Sequence, residues 1–193
     1  MWRSVLIWGV VASGLAFPIA AAALSPLLAW REPVYIIAGF AGIVGLALLL
    51  MQPLLAMGYL PGLDQRRGRR VHRFLGAALV LMVIVHVAGL WLTSPPDVVD
   101  ALLFVSPTPF SVWGVIAMWI VFAVAALAVM RRPLRLSPRI WRRLHLGAAA
   151  VIVTTTILHA VLIEGTMEQV SKYGLSVLVA TATLAAVLGV RRR

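Results

Sequence analysis

Six runs of about twenty apolar residues, separated by short junctions rich in proline and arginine, leave this chain little choice of fold. A hydrocarbon layer about 30 Å thick is crossed by roughly 20 helical residues, and the runs fall near residues 4–27, 34–58, 72–94, 109–130, 144–163 and 173–190. Proline-bearing junctions at Arg31-Glu32-Pro33, Pro61-Gly62, Pro95-Pro96 and Pro107-Thr108-Pro109 support these boundaries, because proline removes a helical donor and restrains the residue before it. With 62% hydrophobic residues, 12% charged residues and a mean hydropathy of +1.01, the composition excludes a soluble domain. The expected architecture is an all-α integral membrane protein: one domain, residues 1–193, of six transmembrane helices in a bundle. The first run is read as a retained span; a cleaved signal peptide is its alternative, and its apolar stretch is longer than a normal signal core.

The net charge of +11 is mostly a matter of topology. Arginines crowd the junction after the second run (Arg66, Arg67, Arg69, Arg70), the junction after the fourth (Arg131, Arg132, Arg135, Arg139, Arg142, Arg143) and the terminal Arg191-Arg192-Arg193. Opposite junctions carry Arg31 with Glu32, then Asp97 and Asp100, then Glu164, Glu168 and Lys172. The positive-inside rule then places both termini in the cytoplasm, with six spans alternating without conflict. Contact with anionic lipid accounts for the remaining positive charge, and nucleic acid is not an expected partner.

Four histidines, the only ones present, form two pairs with the same spacing: His72 with His86, and His145 with His159, each 14 residues apart. On a helix that is about 21 Å of rise and nearly four whole turns, so one face presents imidazoles at two depths. The third and fifth spans both run outward from the cytoplasm, which makes the pairs level across the bundle. An internal repeat strengthens this: a 73-residue offset maps Arg69-Arg70-Val71-His72 onto Arg142-Arg143-Leu144-His145. Gly76 and Ala149, one turn above the inner histidines, leave room for a flat macrocycle or simply permit close helix packing.

Ionisable residues inside a membrane are functional candidates by default. Lipid-headgroup contact would explain His72 and His145 in isolation, but it does not explain the matched spacing. The chain has no Cys, and no carboxylate lies at histidine depth to complete a zinc or copper set. Two histidines per level suit six-coordinate haem between spans three and five. Without thiolate or thioether attachment, the two haems would be of b type. Arg70, Arg73 and Arg143, beside what reads as the helix N-termini, are expected partners for the propionates of the inner haem.

Six spans with the pattern Arg-Arg-x-His-x13-His on spans three and five resemble the ferric reductase-like transmembrane domain. Ferric reductases, NADPH oxidases and the haem-binding membrane subunits of the MsrQ (YedZ) type share that domain. The resemblance covers essentially the whole chain and implies two stacked b haems that carry single electrons across the membrane. It assigns His72 and His145 to the cytoplasmic-side haem iron and His86 and His159 to the outer one. No Gly-rich nucleotide-binding segment of the larger reductases is seen before Arg193. The expectation is therefore an oxidoreductase component in a bacterial inner membrane, taking electrons from a separate cytoplasmic-side donor (a flavin such as FMN, or a quinol) and passing them to a periplasmic or extracellular acceptor. Alternatives are a stand-alone ferric or oxygen reductase and a haem-free transporter using the histidines as a proton relay, which would call for acidic partners at mid-membrane.

Of the remaining features, Trp2, Trp30, Trp91 and Trp141 read as interfacial anchors. The acids Asp97, Asp100, Glu164 and Glu168 read as solvated loop charge at an outer mouth. Thr156 shares the ligand face, with back-bonding to its own helix as the ordinary role for such a threonine. Met51 and Gln52 at the inner end of the second span are too ordinary to mark a quinone pocket.

Overall fold

The computed structural model describes residues 2–191, the side chains of the last two aside, and among them every regular element is helical. Helix α1 spans Trp2–Ala23, with a single 3-10 turn after it at Pro26–Leu28, and α2 spans Pro33–Met57. Then come α3 (Gln65–Thr93), the short α4 (Pro95–Leu102), α5 (Ser111–Met130), α6 (Pro138–Leu162) and α7 (Gln169–Arg191). All but α4 are long and apolar enough to cross a membrane, and the chain is a multi-pass integral membrane protein. Arg192 and Arg193 of the terminal arginine triplet lie outside the described residues.

Two helix starts differ by more than a turn and a half from those that the apolar runs predict. α3 begins at Gln65 rather than 72, and α6 at Pro138 rather than 144. Apolar runs mark only the part of a helix that lipid can solvate, whereas arginine is a good helix former and extends it beyond the hydrocarbon. Capping decides where each helix starts. Asp64 accepts hydrogen bonds from the backbone N–H groups of Arg66 (2.9 Å) and Arg67 (2.8 Å), and Ser137 accepts from Ile140 N–H at 3.3 Å with Pro138 next in the chain. These are the ordinary devices for satisfying a first helical turn. Pro95 likewise opens α4 instead of only ending α3. Gly58, at φ 69° where a side chain would be strained, closes α2.

The Arg67 N–H holds the Asp64 carboxyl below the ordinary aspartate range. A lowered folded value means the ionised cap is present at neutral pH. Its contribution is lost as pH falls below the ordinary value and through the folded one. Protection of the Arg66 and Arg67 amides, exchange being taken relative to its intrinsic rate at each pH, should therefore fall only in that acidic window, and Asp64→Ala should produce the same loss of protection at neutral pH.

α2 is the centre of the bundle. It packs along α3 and α7; α6 packs on α5 and α7, and α1 lies over α7 and α2. Leu175 and Val179 of α7 are fully buried among Leu46, Leu50 and Ile152. Phe74, Leu81, Leu92 and Trp119 point outward and are exposed, as expected where the surrounding solvent is hydrocarbon. α3 and α6, by contrast, form no packed helix pair. They face one another through a separation that the histidine rings bridge.

Candidate functional site: two level histidine pairs

Across that separation His72 faces His145, with ring centroids 5.9 Å apart and planes at 72°, and His86 faces His159 at 6.3 Å and 83°. Pairing 72 with 145 and 86 with 159 requires α3 and α6 to run in parallel. The two levels expected from the 14-residue spacing are therefore realised in space, about 21 Å apart along the helices. His72 and His145 do not open their helices, as the apolar runs had implied; each lies about two turns inside, because α3 and α6 start at Gln65 and Pro138.

Three of the four imidazoles are held by backbone carbonyls of a neighbouring segment. His86 Nδ1 donates to Ala38 O at 2.7 Å, His159 Nδ1 to Phe110 O at 2.9 Å, and His72 Nδ1 to Gln52 O at 3.2 Å. A carbonyl can only accept, so Nδ1 carries the proton and Nε2 keeps its lone pair. Such a bond orients a metal-binding imidazole and raises its basicity. His145 is the exception: its Nδ1 is buried with no hydrogen-bond partner. Trp141, one turn earlier on α6, stacks on it instead, at 5.1 Å and 24°, and the Arg131 guanidinium lies 5.6 Å from the indole.

The carbonyls are reachable because of the residues one turn beyond them. A residue four positions after a helical carbonyl covers it with its own Cβ. Four residues after Ala38 comes Gly42, and four after Phe110 comes Gly114. A Cβ at Gly42 would sit 3.1 Å from His86 Nδ1, and one at Gly114 would sit 2.7 Å from His159 Nδ1 and 2.8 Å from its Cε1. Both glycines admit an imidazole. After Gln52 the corresponding residue is Ala56, and the bond to His72 is the longest of the three. Gly89 acts at one remove. A Cβ there would meet Ala38 Cβ at 2.7 Å, so this glycine lets α2 approach α3 and brings the Ala38 carbonyl to His86.

The four histidines are evident from sequence; Gly42, Gly114 and Gly89 are not, nor is the stacking of Trp141 on His145. The aromatic–histidine pair at i, i+4 was the available signal for Trp141. Arg70, Arg73 and Arg143 lie at the same end as the inner pair, but within α3 and α6 rather than at their N-termini, so the helix-dipole argument for them does not apply. Thr155, not Thr156, back-bonds to its own helix, to Val151 O at 2.8 Å. Of the outer acids, Glu168 caps α7 through Val170 and Ser171 N–H. Lys172 Nζ donates to Ile163 O at 2.7 Å, tying α7 to the end of α6 just beyond His159.

Among the described residues no cluster of three or more His, Asp or Glu is placed to hold a metal ion. What each level offers is one pair of facing imidazoles. With metal–imidazole bonds of about 2 Å, two rings on opposite sides of one iron have centroids about 6 Å apart, the separation found at both levels. A macrocycle around that iron also needs clear backbone. A Cβ at Gly76 would make only ordinary contact, 3.9 Å from Gln52 Oε1, so helix packing does not demand glycine there and the clearance is available to a flat ligand. The residues present fit a bis-histidine haem at each level.

No curated protein and no solved structure gave a significant match to the chain. A family model described as "Ferric reductase like transmembrane component" matches residues 41–156, which takes in His72, His86 and His145 and ends three residues short of His159. The match covers more than half of the sequence and contains the repeated arginine–histidine segments of α3 and α6, and the chain belongs to the ferric reductase-like transmembrane family.

Proposed function

We propose that this protein carries single electrons across a membrane through two b haems, one at each histidine level. The observation that carries the reading is the pairing itself: facing imidazoles at two levels, three of them with Nδ1 committed to a carbonyl so that Nε2 is the free ligand nitrogen. When bound, haem supplies a ferric–ferrous couple that accepts and releases one electron.

His72 and His145 would hold the inner iron, and His86 and His159 the outer one. With two histidines to hold each iron, the protein would leave no open coordination site, and its side chains would make and break no bonds. Their work is to fix the rings, exclude water and set the donor strength of the ligands. Lipid-facing residues such as Leu81 and Leu92 insulate the path. Arg70, Arg73 and Arg143 are free of carboxylate partners within salt-bridge distance among the described residues, which suits them to propionates at the inner level. By the positive-inside rule the arginine-rich end is cytoplasmic, with both termini, in a bacterial inner membrane. Electrons would then enter from a flavin or quinol donor at that end and leave to a separate acceptor outside. The proton-relay alternative would need a carboxylate beside the rings; the partners observed are backbone carbonyls, which do not take up protons.

An absorption spectrum of the purified protein before and after dithionite tests this. The expected result is a six-coordinate b-type signal at two haems per chain. Protein that folds in lipid but holds no haem when expressed with haem supplied would sink the reading.

A further inference from the structure

The four ligands are not held alike. α2 runs antiparallel to α3, and its carbonyls 38 and 52 meet the ligands 86 and 72, a step of 14 on both helices. The same register on α5 takes Phe110, the partner of His159, to Val124 opposite His145. No hydrogen bond forms there, and His145 Nδ1 is buried and unpartnered. The residues four beyond the carbonyls differ accordingly: Gly42 and Gly114 at the outer level, Ala56 and Ala128 at the inner. A methyl over the carbonyl keeps an imidazole off, which matches the progression from 2.7 and 2.9 Å outside to 3.2 Å and then to no bond inside.

A ligand ring without a hydrogen bond can rotate about its metal bond unless something else sets its plane. At His145 the ring lying near-parallel is the Trp141 indole, at 24°, and the neighbouring His72 is held at 72° to it. We propose that Trp141 is the positioning residue of the inner site, fixing by stacking the His145 ring plane that a backbone carbonyl fixes at the other three ligands. The inference rests on the haem reading above. Stacking restrains the plane of a ring but leaves Nδ1 unengaged, so His145 lacks the carbonyl partner that the other three imidazoles have. The inner level therefore differs from the outer through Ala56 of α2 and Ala128 of α5, which stand where the outer level has glycine, and through the Trp141–His145 stack within α6.

The test is electron paramagnetic resonance of the oxidised, haem-loaded protein in lipid, because the low-spin ferric signal depends on the angle between the two axial imidazole planes. His86→Ala assigns the inner signal. Trp141→Leu should move that signal and leave the outer one in place, with inner haem retained about 10- to 100-fold less tightly against an external haem acceptor, the usual cost of removing an outer-shell partner. Trp141→Phe, which can still stack, should restore both position and retention. Should Trp141→Leu leave the inner signal unchanged, or weaken both haems equally, Trp141 does not position His145. Wild-type protein without either signal would instead refute the haem reading itself.

Discussion

Gly114→Ala should cost the protein its outer haem. The added Cβ would lie 2.7 Å from His159 Nδ1 and 2.8 Å from Cε1, inside any contact a real methyl group tolerates, and the obstructing atoms belong to an imidazole with nowhere easy to go. Its Nδ1 is bonded to Phe110 O and its ring packs edge-on against Phe110 at 5.7 Å. Relief comes only by breaking the carbonyl bond or by moving α5 away from α6, and both displace Nε2 from the line facing His86. The haem-to-protein ratio should fall from two toward one, and electron transfer from dithionite-reduced inner haem to an outside acceptor should drop by about 10- to 100-fold, as the outer-shell losses of other metal sites indicate. Gly42→Ala is the graded control. Its Cβ would stand 3.1 Å from His86 Nδ1, a distance that a small ring movement can accommodate, so the outer haem should be weakened but present. Equal retention of haem by wild type and Gly114→Ala would show that the glycine is not there for the ligand.

The second large effect is expected from the ligands themselves. His86→Ala and His159→Ala should each remove the outer haem, and the double variant should be no worse than either single one, because two residues on one iron act as a unit and their losses do not add. His72→Ala should leave the outer haem in place but stop its reduction from the arginine-rich end. Spectral counting of haem together with reduction by a membrane-impermeant donor applied to one side separates the cases. Additive loss from the His86 and His159 changes would mean that they do not share a site.

The range of each interaction decides how much of the site is legible in the sequence. The spacing of His72 and His86 is a property of one helix, and so is that of His145 and His159; their parallel course is implied by the alternation of arginine-rich and acidic junctions. Helix starts are less legible. Asp64 and Ser137-Pro138 are readable caps, but an apolar run gives no sign that arginines on its flank continue the same helix. Gly42 and Gly114 give no warning, because a glycine in an apolar span reads as ordinary close packing, and its purpose is known only when the residue opposite is known. That residue lies far away in sequence: Ala38 and His86 are 48 positions apart, Phe110 and His159 are 49.

Sequence by itself determined that this chain spans a membrane six times and carries four imidazoles at two depths, because span length and side-chain periodicity are set by the rise and pitch of a single helix. Tertiary structure alone decided which carbonyl holds which ring, why Gly114 must be glycine and Gly42 is better so, and why His145 finds no carbonyl. Those depend on the register between neighbouring helices, and register is a property of the packed bundle, set by how closely two backbones approach and not by either helix alone.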